Sequence, residues 1–206
     1  MHHPVQPLKK TSLQTPTSSH SAHWHPVRWY PADRWLRYAI PASWRDWLVD
    51  NGSLTKRLIA ASAGNFSVRV LRQDYHRPAV NEARALGLAA GRYALIREVV
   101  LMGNNKPWVY ARSILPLETL TGRLRALRKL DNRPLGALLF ADKTLSRGDI
   151  EIARIPGLLL PQNLAADSDE LWGRRSLFYL DNKPLLVSEI FLPDFNPYNT
   201  RYNVET

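Results

Sequence analysis

Two short stretches carry a charge at a position where strand alternation calls for an apolar side chain. In DNKPLLVSEIFLP, Asp181 to Pro193, successive strand residues point to opposite faces, so Leu185, Val187, Glu189 and Phe191 share one face. Leu95, Arg97, Val99 and Leu101 share a face in the same way within LIREVVL. A lone ion on an apolar face is costly to desolvate, and even a paired one rarely adds stability. Arg97 and Glu189 are therefore candidates for ligand chemistry. A guanidinium can grip a carboxylate through two parallel N–H donors, and a carboxylate can accept a hydroxyl hydrogen bond or move a proton. A structural ion pair, or two half-exposed strand faces, would leave the same pattern.

Both residues sit in a repeated unit. GNNKPWVYARSILP, Gly103 to Pro116, aligns without gaps with the second stretch at a constant offset of 77 residues (112 to 189). Asn105, Lys106 and Pro107 match Asn182, Lys183 and Pro184; Arg112 falls opposite Glu189, and Arg97 opposite Arg174. Each half reads as strand, polar turn, strand, which predicts two similar hairpins in one sheet.

The elements that must position these hairpins follow in order. Residues 1 to about 27, rich in Ser, Thr, Pro and His, are expected to form a disordered arm, with residues 28–206 as one domain. The arm's histidines (His2, His3, His20, His23, His25) have no fixed ligand spacing, which argues against a metal site. Trp29, Tyr30, Trp35 and Tyr38 are expected to dock the next segment onto the domain. Trp44, Trp47 and Leu48 predict a helix opening after Pro41, and Ser53 can cap a second through Leu54, Leu58 and Ile59. Strands are expected at Phe66–Leu71, Arg92–Met102, Trp108–Leu115, Thr144–Arg154, Arg174–Leu180 and Leu185–Leu192, about six in all. Helical patterns recur at 78–90 and 117–140, broken at Asp131–Pro134; Ile155 to Leu171 reads as a loop, and the tail after Pro193 as patternless. Tight turns between consecutive strands imply an α+β fold: a single antiparallel sheet with helices covering one face.

Composition narrows the function classes. The chain's 206 residues can bury a real core. No apolar run approaches the ~18 residues of a membrane span, and no compact apolar leader opens the sequence, so the cytoplasm is the expected compartment. Without cysteine there is no thiol catalysis, disulfide or thiolate metal site. A net charge of +10 would suit nucleic acid, an anionic membrane or anionic small molecules. Apart from Arg123, Arg125, Arg128 and Lys129 the cations are scattered, and no nucleic-acid-binding motif is present, which favours a small anion.

The runs LTKRL (Leu54 to Leu58), LIREVVL, PWVYARSILP, RPLGALLF (Arg133 to Phe140), IEIAR (Ile150 to Arg154), LWGRRS (Leu171 to Ser176) and KPLLVSEIFLP occur in that order. Together they resemble the chorismate lyase family over about Trp44 to Pro193. The resemblance implies one antiparallel sheet with a ligand beneath two helical flaps. It also implies conversion of chorismate to 4-hydroxybenzoate and pyruvate at the head of ubiquinone synthesis, without metal or organic cofactor, in a monomer. The family's ligand-contacting arginine and carboxylate fall on Arg97 and Glu189. Flap contacts fall on Leu135 and on Leu54, where the family usually has methionine, a change of little volume. Arg112 falls on a family arginine near the site and is a candidate for the second anionic group, though a solvent-facing strand arginine would fit equally. The stretch from Ile155 to Glu170 is longer than the family's usual link. A rival reading is a non-catalytic small-molecule sensor like the effector domain of GntR-type regulators; residues 1 to 40 are too short and too poor in aliphatics for the winged helix those proteins carry.

Overall fold

The computed structural model describes residues 27–36, 40–161, 164 and 170–198. The expected N-terminal arm lies outside them except for Val27, as does much of the 155–171 link. Eight strands form one antiparallel sheet: β1 (Tyr30–Pro31), β2 (Phe66–His76), β3 (Ala94–Gly103), β4 (Lys106–Pro116), β5 (Ser146–Arg147), β6 (Glu151–Ile155), β7 (Leu171–Leu180) and β8 (Lys183–Phe191). Their spatial order is β1-β6-β7-β8-β4-β3-β2, with β5 pairing β7. The α+β class read from the sequence holds, with two more strands than expected. β1 is the docked end of the aromatic segment, and the stretch expected as one strand from Thr144 to Arg154 is split into β5 and β6.

That split is a bulge. Arg147 pairs with Phe178 and Glu151 with Arg175, so between these pairs three residues on one strand run against two on the other. A second bulge lies in the first repeated hairpin. Leu101 pairs with Val109 but Met102 with Pro107, leaving Trp108 as an extra residue on β4. A Cβ on Gly103 would lie 2.2 Å from the Trp108 ring, so this strand end needs glycine for the indole to fold back over it. The second hairpin, β7–β8, pairs without a shift. Both hairpins close through two residues of positive φ, Asn104–Asn105 and Asp181–Asn182, the backbone of a type I′ turn and the reason for Asn and Asp there.

Helices α1 (Ala32–Leu36), α2 (Ala42–Leu48), α3 (Leu54–Ala61), α4 (Val80–Ala85) and α5 (Leu135–Ala141), with 3-10 turns at Gly122–Arg128 and Gly157–Leu159, complete the architecture among the described residues. Ser53 caps α3 as expected, its Oγ accepting from Lys56 N at 3.3 Å. On one sheet face α2 and α3 pack Trp47, Leu48, Leu54 and Leu58 against Val99, Leu101 and Phe191, while α5 brings Leu135 and Leu139 onto Leu95, Leu115 and Leu185. The other face is covered as well, by Leu86 after α4 on Ile96 and Ile114, and by Leu159, Leu160 and Leu164 on Ile155 and Ile190. The described part of the tail is not patternless: Phe195 is buried among Trp44, Trp47, Trp108 and Phe191, rings meeting edge to face or tilted, while residues 199–206 lie outside the described residues. Among the described residues no helix is long and apolar enough to cross a membrane.

Candidate active site

Strand register builds the floor of a cavity in two rungs. Arg97, Ser113, Val187 and Ser176 lie side by side across β3, β4, β8 and β7; one pleat along lie Val99, Ala111, Glu189 and Arg174. The cover is Leu54 and Thr55 of α3 with Leu135, Gly136 and Leu139 of α5. The two helices touch closely enough that a Cβ on Gly136 would stand 2.7 Å from Thr55 Oγ1. The space left between floor and cover is narrow and lined by both layers.

Among the described residues four ionisable side chains line this space: Arg97, Arg147, Arg174 and Glu189, three cations against one anion. Arg97 is 2% exposed and donates to Gln73 Oε1 at 2.6 Å and to the carbonyls of Asp131 at 2.7 Å and Arg133 at 3.1 Å. Burial lowers its pKa, opposed only by the charge of Asp131. Glu189 accepts from Arg174 Nε at 2.7 Å and keeps its side chain 17% exposed toward the cavity. Arg174 Nη1 donates to the carbonyls of Trp47 at 2.9 Å and Asp50 at 3.0 Å. Arg147 donates to Ser176 Oγ at 3.0 Å and to the Asp50 and Gly52 carbonyls at 3.3 and 3.4 Å. Its guanidinium carbon lies 4.9 Å from the Phe178 ring centroid. Burial, then the neighbouring charge of Arg174, bring its pKa down to about 10.

The same arginines tether the stems of the cover. Arg174 and Arg147 hold the turn that leads into α3, and Arg97 holds the loop that leads into α5. At the far end of α5 the exposed Arg123 donates to Asp142 and, at 2.7 Å, to Asp181, fastening the cover to the β7–β8 turn.

The structure brings Arg97, Glu189, Leu54 and Leu135 to one cavity and places Arg112 elsewhere. Glu189 faces Ala111 across the ladder, whereas Arg112 pairs with Ser188 and Glu98 on the opposite face. The cause is the extra residue Trp108: a one-residue slip turns every following side chain of β4 to the other face, which a gapless repeat alignment does not reveal. Arg112 is 1% exposed, neither a cavity residue nor a solvent-facing one. Its Nε and Nη2 meet the two Glu82 oxygens at 2.7 and 3.1 Å, and Nη1 also donates to Glu98. Burial acts to lower the Arg112 pKa, but the charge and hydrogen bonds of Glu82 outweigh it and the net direction is up. Since Glu82 Oε2 also accepts from Ala79 N at 2.9 Å, this cluster staples α4 to the sheet.

Arg112→Met should accordingly destabilise the fold by ~3–5 kcal/mol, the usual cost of leaving buried carboxylates without their cation. Urea unfolding measures that loss; well below the melting temperature the variant should keep most of its ligand affinity. An unchanged midpoint with abolished affinity would return Arg112 to the site.

Two ionisable cavity residues, Arg174 and Arg147, are not among the candidates the sequence offers. Arg174 was visible as the counterpart of Arg97 in the repeat, but nothing there gave it a task. Arg147 was hidden by the β5–β6 bulge, because plain alternation puts it on the same face as Glu151, away from the cavity.

Comparison with known proteins places the chain in a family. The chorismate lyase family model matches residues 25–200. The chain is 45% identical over 150 residues, 71% of its length and 93% of the relative's, to a protein of Methylococcus capsulatus named probable chorismate pyruvate-lyase. It is 41% identical over 167 residues, 81% of its length and 89% of the relative's, to one of the same name from Pseudomonas putida. Among solved structures, a GntR-family transcriptional regulator from Bacillus cereus superposes over 64% of this chain and 95% of that one, at 13% identity and a TM-score of 0.49, too remote to bear on function. With one family model spanning the domain and relatives above 40% identity over almost their whole length, the chain belongs to the chorismate lyase family.

Proposed function

We propose that the chain converts chorismate to 4-hydroxybenzoate and pyruvate, the opening step of ubiquinone synthesis, in the cavity between the sheet and the α3–α5 cover. The observation that carries this reading is the cavity's charge. Three guanidinium groups against one carboxylate leave a surplus of two positive charges inside walls otherwise apolar but for Thr55 and Ser113, which suits a small cyclic dianion. Chorismate carries a ring carboxylate, a ring hydroxyl para to it, and an enolpyruvyl ether beside the hydroxyl. Arg97 is the fork for the ring carboxylate, with Leu135 and Leu54 closing over the ring, and Glu189 accepts the hydroxyl.

The reaction balances within the substrate. The C4–H bond breaks and its electrons become the last π bond of the aromatic ring. The C3–O bond breaks with its electron pair leaving on the enolpyruvyl oxygen, and the proton ends on the enolpyruvyl methylene carbon, giving pyruvate. The protein's task is to hold the side chain over the ring and to stabilise charge moving toward the ether oxygen. Release of the enclosed product then requires the cover to move.

The test is to mix the purified chain with chorismate and follow 4-hydroxybenzoate and pyruvate. Equal amounts of both, formed far above the spontaneous rate, are expected; chorismate left intact would sink the reading. A net charge of +10 should also draw the dianion in. The apparent kcat/KM should fall as ionic strength rises past ~0.1 M, where screening shortens to about 10 Å. We place the chain in the cytoplasm, as a monomer acting on free chorismate.

A further inference from the structure

The charged residues of the cavity follow one another across the sheet. Arg97 stands on β3, Glu189 on β8, Arg174 on β7, and Arg147 on β5 at the β7 edge. Neighbouring strands are about 4.8 Å apart, so the ring carboxylate on Arg97 and the hydroxyl on Glu189 set the long axis of the ring along the β3-to-β8 direction. The enolpyruvyl ether is on the carbon next to the hydroxyl. Its carboxylate therefore leaves the ring at the Glu189 end and must find a cation on the β7 side.

Two guanidinium groups are there, and they differ in what already holds them. Arg174 is committed to Glu189 through Nε and to two backbone carbonyls through Nη1. Arg147 meets only neutral acceptors among the described residues, two of its three hydrogen bonds are 3.3 Å or longer, and its plane rests near Phe178. Its charge is both desolvated and pressed by Arg174, and the charges of Glu189 and Asp50 offset this only in part, which is the reason for its lowered pKa. An arriving carboxylate would relieve both strains, and among the described residues no third cation lines the β7 side of the cavity.

We propose that Arg147 receives the enolpyruvyl carboxylate of chorismate, and so is the residue that distinguishes substrate from aromatic product. The inference rests on the lyase reading and adds to it the partner of the second carboxylate. 4-Hydroxybenzoate keeps only the carboxylate assigned to Arg97, while the other departs with pyruvate. Arg147 thus favours the substrate without tightening the hold on the product that shares its ring.

The test compares the two ligands. In Arg147→Gln the KM for chorismate should rise about 30-fold or more while the Kd for 4-hydroxybenzoate moves by less than about threefold, the low end for truncating one partner of a buried charge pair. Arg147→Lys, which keeps a charge but not the fork, should fall between. Weakening of both ligands to the same degree, or no change in either, overturns the assignment. Should Arg147→Gln not fold, wild-type protein offered chorismate methylated on the side-chain carboxylate should show the same loss of affinity; undiminished binding of that ester overturns the assignment too. If wild-type protein forms no 4-hydroxybenzoate, the reaction itself is misread. If it does and Arg147→Gln treats both ligands alike, this inference alone falls.

Discussion

Glu189→Gln should lower kcat by about 10²–10⁴, the range for losing a positioned acid–base group, while KM for chorismate stays level or falls. The change keeps the side chain's volume and an oxygen that can still accept from Arg174 Nε, now at 2.7 Å. What disappears is the negative charge. The substrate hydroxyl is an ordinary alcohol, whereas the product is a phenol, a far stronger acid and so a better donor. A hydrogen bond to an anionic acceptor therefore strengthens as the ring becomes aromatic, which is the condition for speeding a reaction rather than merely binding its substrate. Removing the anion also raises the cavity's positive surplus, so a dianion has no electrostatic reason to bind more weakly. Steady-state kinetics separates these effects. If Glu189 served only to neutralise Arg174, the variant would lose thermal stability and keep its kcat.

That Glu189 and Arg97 each lie on an otherwise apolar strand face could be read from alternation, because β8 and the part of β3 that carries Arg97 run straight and a period of two is faithful there. The gapless repeat alignment misplaces Arg112 and plain alternation misplaces Arg147, for one physical reason. In each case an irregular residue in the ladder, Trp108 or the stretch between β5 and β6, turned the chain over. The Trp108 bulge had a trace in the sequence, since Gly103 faces an indole that no residue with a Cβ would admit. Glycine at a strand end is just as much at home in an ordinary turn, so the trace does not point to a bulge by itself. The helices of the cover were legible from their apolar spacing and from Ser53. Which of them closes over which strand was not, because that depends on long-range contacts that local pattern does not encode. The tail shows the limit most simply: Phe195 follows a proline and a charge in a polar run, and only the aromatic nest built by Trp44, Trp47 and Trp108 gives it a reason to be buried.

Arg97→Ala should weaken chorismate and 4-hydroxybenzoate together, each by about 30-fold to a few thousand-fold, the span for truncating one partner of a buried, hydrogen-bonded charge pair. Both ligands carry the ring carboxylate, so neither escapes, in contrast to the ligand-selective loss at Arg147. The guanidinium is well prepared for this task. Gln73 Oε1 at 2.6 Å and the Asp131 carbonyl at 2.7 Å fix its plane with neutral acceptors, so its charge is aimed without being cancelled by an ion pair. Burial lowers its pKa, and an incoming carboxylate offsets the cost of holding that cation out of water. Removing the side chain also releases the Asp131 and Arg133 carbonyls that anchor the entry to α5, so the product should dissociate faster as the cover loosens. Arg97→Lys restores charge but not the two-pronged grip, and should recover only part of the affinity. Equilibrium binding of 4-hydroxybenzoate to the folded variants decides the matter. Wild-type product affinity in Arg97→Ala would mean that the ring carboxylate is held elsewhere, and with it the orientation from which the assignment of Arg147 was drawn.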